Sequence, residues 1–424
     1  MKKPKIKTLP NGLRIIALPH SGKSVLVEVL VKTGSQYETK EMNGISHFLE
    51  HMCFKGTDNR SGREIMHFLD GLGCRTNAFT DDEITGYHVK SARRYWKKTL
   101  AVALDIFQNP SFPQPEIERE KGVIIGEINM YNDDPSSVAA DTFDEILYGD
   151  QPAGRTILGP KENILKFNQE DFVQYHQKYY IPENTVVIVA GDILAKEIFQ
   201  TVAEKFSDTT KSSKTKKKKT KITKKSAIKV ITKKTEQSHL VLGFPTVGNN
   251  HKDYPALSFL AVALGGGMSS RLFEKVREEL GAGYYISAYH YMHTDSGSLR
   301  ISSGLDSNRV SEVLSHVVGI LVDIKENGIS EKELKKTQKY LTGNLIMSME
   351  STSAQSHFYG YRLLQERPLV SLKELIKEIN AVTAADIKRV TRKYCKNELL
   401  HLAIVGPHAQ KEIRSFKTAL KKPL

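Results

Sequence analysis

The chain has 424 residues, of which 39% are apolar, 26% charged and 8% aromatic. It is long enough for two hydrophobic cores, too apolar for a disordered protein, and free of the Gly or Pro bias of a fibrous one. Its formal charge of +14 points first to nucleic acid or an anionic membrane, a reading that depends on where the charge lies.

Three cysteines, Cys53, Cys74 and Cys395, stand in no CxxC spacing, so they offer no disulfide framework and fit a reducing compartment. Residues 1–12, MKKPKIKTLPNG, are basic but lack the apolar run of a secretory signal. No stretch of about 18 apolar residues occurs anywhere. A cytoplasmic protein without a membrane partner is expected.

Residues 5–19 and 24–34 read as strands, with Asn11-Gly12 as a turn. Residues 43–57, NGISHFLEHMCFKGT, predict a helix with two faces. Ile45, Phe48, Leu49 and Met52 form an apolar stripe, and His47, Glu50 and His51 lie opposite. His47 and His51, four apart, stack one turn above the other and can bind a single ion. Glu50 projects beside them, in reach of the proton of a water on that ion. This HxxEH order is the inverse of HExxH and needs a further protein ligand from elsewhere. With 14 His in the chain, chance predicts only about 0.03 occurrences of the pattern.

Residues 116–130, EIEREKGVIIGEINM, predict a second helix. Its Glu120 and Glu127 are seven apart and face one way, about 10.5 Å apart along the axis. One can be the missing ligand while the other orients a histidine from behind; the spacing leaves open which is which.

Residues 168–192 and 383–407 align without gaps at an offset of 215, matching Asp171 with Asp386, Tyr179 with Tyr394 and Gly191 with Gly406. Each copy reads as helix, turn and buried strand, so the chain is expected to be two similar α+β domains in tandem. Between the copies, residues 211–234 hold 12 Lys and no acid, which accounts for nearly the whole charge excess. Its first half reads as a solvated tether, and it lacks the interleaved aromatics of a nucleic-acid platform. No nucleic-acid partner is expected. The predicted domains are residues 1–208 and 227–424, joined by a linker at 209–226.

On HFLEHMCFKGT (residues 47–57) and EREKGVIIGE (residues 118–127), the chain resembles the pitrilysin/insulysin-type inverted zinc metallopeptidases, most closely the mitochondrial processing peptidase and its bacterial relatives. NAFTDDEITGYHVK (residues 77–90) and GRTILGP (residues 154–160) are similar to other recurrent segments of that family. The resemblance implies a tandem pair of α+β domains, each a mainly antiparallel sheet packed with helices. It implies one Zn²⁺ per chain on His47, His51 and Glu127, with Glu120 supporting from behind and Glu50 as the base. It also implies an endopeptidase acting on unfolded or flexible peptides within an enclosed chamber, with Asn77, Ala78 and Phe79 on the strand that receives substrate.

The second half has no HxxEH; where the zinc helix would recur it reads YPALSFLAVALGGGMSSRLF, so it cannot hold the metal. It does carry Arg277 and Tyr284, at the spacing with which insulysin-like members contact the substrate carbonyl. In a two-domain chain that pair would come from a partner subunit, which implies a homodimer, or a heterodimer with a related subunit, with each site completed in trans. One departure stands out. Where the processing peptidase carries acids that select arginine, this chain reads DDPSSVAAD (residues 133–141): Asp141 is kept but Ser137 replaces a second acid, which argues against arginine-directed specificity. The alternative is a non-catalytic scaffold or partner subunit of a processing-peptidase-like complex; the intact metal set weighs against it.

Overall fold

Short apolar runs become the strands of two sheets, and the longer amphipathic runs become helices laid on both faces of each. The structure, a computed structural model, describes residues 3–207, 215–223, 225–421 and 424. Residues 209–214 and 224 of the expected linker lie outside the described residues. Two compact units emerge, each drawn from three segments. The first comprises the described residues of Met1–Ile128, Thr156–Lys218 and Ile346–Leu372; the second those of Asn129–Arg155, Lys219–Leu345 and Lys373–Leu424.

The first half of the chain runs β1 (Lys5–Thr8), β2 (Arg14–Pro19), β3 (Ser24–Val31), α1 (Ile45–Met52), α2 (Gly62–Gly71), β4 (Arg75–Thr80), β5 (Thr85–Ala92), α3 (Trp96–Gln108), α4 (Gln114–Asp133), α5 (Pro135–Tyr148), α6 (Lys161–Lys166), α7 (Gln169–Tyr179), β6 (Thr185–Gly191) and α8 (Ala195–Lys205). The second runs β7 (Ala227–Thr232), β8 (Gln237–Thr246), α9 (Tyr254–Gly265), a π-helical segment (Phe273–Glu279), β9 (Gly283–Met292), β10 (Gly297–Asp306), α10 (Val310–Asn327), α11 (Glu331–Ser348), α12 (Thr352–Leu364), α13 (Leu372–Ala381), α14 (Ala384–Tyr394), β11 (His401–Gly406) and α15 (Ile413–Ala419).

The sheets have the orders β1-β2-β6-β3-β5-β4 and β7-β11-β8-β10-β9. In each, one parallel pair (β2 with β6, β7 with β11) sits in an otherwise antiparallel ladder. The central strand β3, SVLVEVLV, is buried along almost its whole length because helices cover both faces. Phe48, Leu100 and Phe172 pack on one face of the first sheet, and Tyr359 and Leu364 of α12 cover Ile16, Leu26 and Ile188 on the other. In the second unit Leu260, Val317 and Ile387 pack on one face, and Phe143 and Leu147 of α5 cover Val241 and Val405 on the other.

The repeat extends to the capping boxes. Asn168 caps α7 with Asp171 as its reciprocal partner, and Thr383 caps α14 with Asp386, at the same offset of 215. The units nevertheless depart from the contiguous domains expected at 1–208 and 227–424. Helix α5 belongs to the second unit and α12 to the first. An amphipathic pattern specifies that a helix buries one face, not which sheet buries it.

Lys216, Lys218, Lys219, Lys221 and Lys225 of the linker are exposed, as a solvated segment predicts, but the described linker residues are also pinned to the folded units at Thr215, Lys217 and Thr220. Lys217 is 10% exposed, pairs with Glu83 at 2.7 Å and donates to Gln36 Oε1 at 2.6 Å. Asn184 holds Thr215 at 2.8 Å, and farther along Thr220 N–H donates to Asp295 Oδ2 at 2.8 Å. A lysine that finds a buried carboxylate gains more by docking than by staying in water among its like charges. Among the described residues, no helix is long and apolar enough to cross a membrane.

Candidate metal centre

Helix α1 begins at Gly44, whose φ of 101° favours glycine; a Cβ there would lie 2.5 Å from the Leu158 carbonyl. Glycine offers no side-chain cap, and a buried carboxylate supplies one. Glu38 Oε2 accepts from Gly44 N–H at 2.8 Å and Oε1 from Ser46 N–H at 2.8 Å, with Asn43 Nδ2 adding a third bond at 2.9 Å. As acceptor, the carboxylate thereby satisfies amides at the start of the helix. Burial pushes the Glu38 carboxyl above the usual carboxylate range, against the pull of those bonds. Ile45, Phe48, Leu49 and Met52 are fully buried, and Ser46 Oγ lies 2.6 Å from the Tyr175 hydroxyl. The predicted apolar stripe is therefore the anchored face, and the opposite face turns His47, Glu50 and His51 toward α4.

The ambiguity between the two glutamates resolves here. His47 Nε2 lies 3.6 Å and His51 Nε2 3.7 Å from the same Glu127 Oε2. One donor atom from each of His47, His51 and Glu127 falls within 4.8 Å of the others, and no further such group of His, Cys, Asp or Glu occurs among the described residues. Ligands at zinc bond lengths of about 2.1 Å on a tetrahedron would stand about 3.4 Å apart, so this donor set fits a Zn²⁺ ion. Glu120, two turns earlier on the same face, instead meets the other side of the ring: His51 Nδ1 is 2.9 Å from Glu120 Oε1. Lys55 Nζ closes the chain on Glu120 Oε2 at 2.5 Å. That contact fixes the ring and leaves Nε2 for a metal.

The electrostatics follow the partners. Burial, helped by the neighbouring His51, pulls His47 down to about 4, so it stands neutral with a lone pair to give. Burial also disfavours the His51 cation, but the Glu120 bond and the Glu127 and Glu50 charges outweigh it and raise its pKa. Burial would raise Glu120, yet its bonds from His51 and Lys55 hold it below the usual range, so it is a carboxylate. Glu50 is pushed up by burial, while Thr80 Oγ1 donates to its Oε2 at 2.7 Å and opposes the shift.

Thr80 ends β4, which pairs only with β5 and forms the open edge of the first sheet. Asn77 and Ala78 of this strand line, with Glu50 and His51, an open cleft of about 1060 Å³. Phe79 points to the other face, where its ring lies 4.9 Å from His357 and 6.3 Å from Tyr361 and covers its cross-strand partner Gly86. A Cβ on Gly86 would come within 2.4 Å of that ring. Phe79 is thus a packing residue, and Asn77 and Ala78 are the strand residues at the cleft.

In the second unit, α9 occupies the place between β8 and β9 that α1 occupies between β3 and β4. It is apolar and buried and carries no metal-ligating side chain. Arg277 lies in the π-helical segment and donates to the carbonyl of Tyr284. Tyr284 is skipped by the β9–β10 register between the pairs Gly283–Leu305 and Tyr285–Gly304. The bulge leaves its ring 64% exposed. Asp141 is exposed on α5, and Ser137 donates to Asp134 Oδ2 at 2.6 Å, so the serine in place of the expected acid serves the cap of its own helix. Sequence reasoning missed Glu38, Lys55 and Thr80. Their partners lie 5 to 65 positions away, and no local pattern marks such pairs.

A family profile described as "Insulinase (Peptidase family M16)" matches residues 15–161, and one described as "Peptidase M16 inactive domain" matches residues 166–341; the latter falls mainly on the half without metal ligands. A Bacillus subtilis protein described as an uncharacterized zinc protease is 37% identical over 408 residues, spanning 94% of this chain and 97% of its own. A Rickettsia bellii protein with the same description is 31% identical over 408 residues, spanning 95% and 97%. Among solved structures, a protease from Helicobacter pylori shares the fold at a TM-score of 0.90 and 24% identity, covering 96% of this chain and 99% of its own. A peptidase M16 inactive domain from Pseudomonas fluorescens does so at 0.88 and 19%, covering 96% and 99%.

Proposed function

Because the chain belongs to the insulinase family of M16 peptidases, we propose that it is a zinc-dependent endopeptidase acting on unfolded or flexible peptides. The observation that carries this reading is the meeting of His47, His51 and Glu127 donor atoms beside a carboxylate, Glu50, that faces the same cleft. Zinc, when bound, polarises a scissile carbonyl and brings the pKa of a water to about 7.

The chain's own groups do the rest. Glu50 takes the proton of the attacking water and passes it to the leaving amine. Thr80 occupies Glu50 Oε2, which leaves Oε1 to face that water. Glu120 holds the His51 ring through Nδ1, and Lys55 keeps Glu120 charged. The open edge of β4 offers main-chain groups to which an extended peptide adds as a strand, with Asn77 and Ala78 alongside. A folded substrate has no such free strand, so flexible chains are preferred. Arg277 and Tyr284 are assigned to the substrate carbonyl, supplied by a second copy of the chain; the exposed Tyr284 ring supports that role.

The test is Glu50→Gln. Hydrolysis of a fluorogenic peptide should fall by on the order of 10²–10⁴-fold, while zinc, measured by atomic absorption, stays near one per chain. A variant that still cleaves removes Glu50 from its role. A wild-type protein that binds zinc and cleaves nothing is instead the non-catalytic scaffold.

A further inference from the structure

The cleft that holds Glu50 and His51 extends to α2, which presents Arg63, Met66 and His67 to it. These positions, i, i+3 and i+4, share one face of the helix, and all three are exposed. The other cations lining the cleft are already neutralised: Lys55 by Glu120 at 2.5 Å, Arg60 by Asp105, and Arg119 by Glu116 at 2.5 Å. Arg63 differs. Its Nε donates to the imidazole Nε2 of His67 at 3.3 Å, and no carboxylate pairs with it among the described residues. Asp70 of the same helix stands seven residues on, about 10.5 Å along the axis.

The Nε–His67 contact leaves the Nη1 and Nη2 edge of the guanidinium open. That edge matches the two oxygens of a carboxylate as a planar fork. Met66, 43% exposed, lies beside it and suits the methylenes of a glutamate. We propose that Arg63, with His67 holding it and Met66 flanking it, forms a substrate subsite for an acidic side chain of the peptide. The enzyme then selects peptides carrying a Glu or Asp at a fixed position relative to the cleaved bond. This inference rests on the peptidase reading.

The experiment uses zinc-loaded full-length protein and end-blocked peptides in which each position near one cleavable bond is in turn Glu, Gln or Lys. A Gln peptide with a free C-terminal carboxylate distinguishes side-chain from chain-end recognition. At one position the wild type should cleave the Glu peptide with kcat/KM about tenfold above Gln. The ratio should fall to near one in Arg63→Gln, and Lys should become the favoured residue in Arg63→Glu. A wild-type ratio near one at every position overturns the subsite, as does a preference that survives in Arg63→Gln, or one shown only by the free C-terminus. If no peptide is cleaved, the peptidase reading falls, and anisotropy of labelled Glu and Gln peptides then judges the subsite: equal affinities for the wild type overturn it.

Discussion

His47 and His51 sit one turn apart on one helix, yet their surroundings push them in opposite directions. Burial, with the charge of the neighbouring His51, brings His47 to about 4; three nearby carboxylates overcome burial at His51 and raise it. The same logic separates Glu120 from Glu127, identical in type and face. The 2.9 Å bond of Glu120 to the back of the His51 ring suits it to a supporting place, and the approach of Glu127 to both Nε2 atoms puts it where a metal ligand would stand. Helical spacing made His47, Glu50 and His51 legible in the sequence because all three lie on one turn-to-turn face. It could not assign the glutamates, whose roles depend on how α4 crosses α1. Thr80 was illegible for a like reason: it reaches Glu50 from a strand 30 residues on. Its role predicts a specific loss. Thr80→Val should lower kcat by about tenfold or more, the value of a hydrogen bond to a charged group, with KM and zinc content unchanged. Thr80→Ser, which keeps the hydroxyl, should restore kcat.

Local side-chain caps set several helix starts. The boxes at Asn168 and Thr383 mark the starts of α7 and α14, and both helices lead into the buried strands that the repeat predicted. Helix α1 hid its start, because its capping carboxylate lies at Glu38, outside any standard box. Helix α5 starts at Asp134, which accepts from the amides and hydroxyls of Ser136 and Ser137. Burial would raise this carboxyl, but the Ser137 and Ser136 bonds outweigh it and bring it to about 2, against an ordinary 3.8. The sign follows: a lowered value means the cap contributes fully above pH 3.8 and fades as pH falls toward 2. Asp134→Ala should therefore cost about 1 kcal/mol near neutral pH, read from urea unfolding. Its deficit relative to the wild type should shrink as pH falls toward 2.

At the scale of the molecule, the tandem repeat was legible and the exchange of α5 and α12 was not. Strand and helix patterns carry the order of elements, and both sheets follow it with one parallel pair each. The sheet that a helix covers is settled by long-range packing, of which the pattern keeps no trace. The division of labour between the halves gives a further prediction. A Glu50→Gln chain retains Arg277 and Tyr284, and a chain with Arg277→Ala and Tyr284→Phe retains the metal ligands and base. If each site is completed by a second copy, an equimolar mixture under subunit exchange should recover up to about a quarter of wild-type activity, the share of sites that receive both intact halves in random dimers. No recovery would refute completion in trans.

The exchanged helices also set an order of events during synthesis. Helix α5 leaves the ribosome before any strand of the sheet it will cover exists. The first sheet, finished at β6, waits with Ile16, Leu26 and Ile188 uncovered until α12 emerges more than 150 residues later. A nascent chain in this interval exposes both an orphan helix and a bare sheet face, the kind of surface that draws chaperones and invites aggregation. Both are resolved only as the second half arrives.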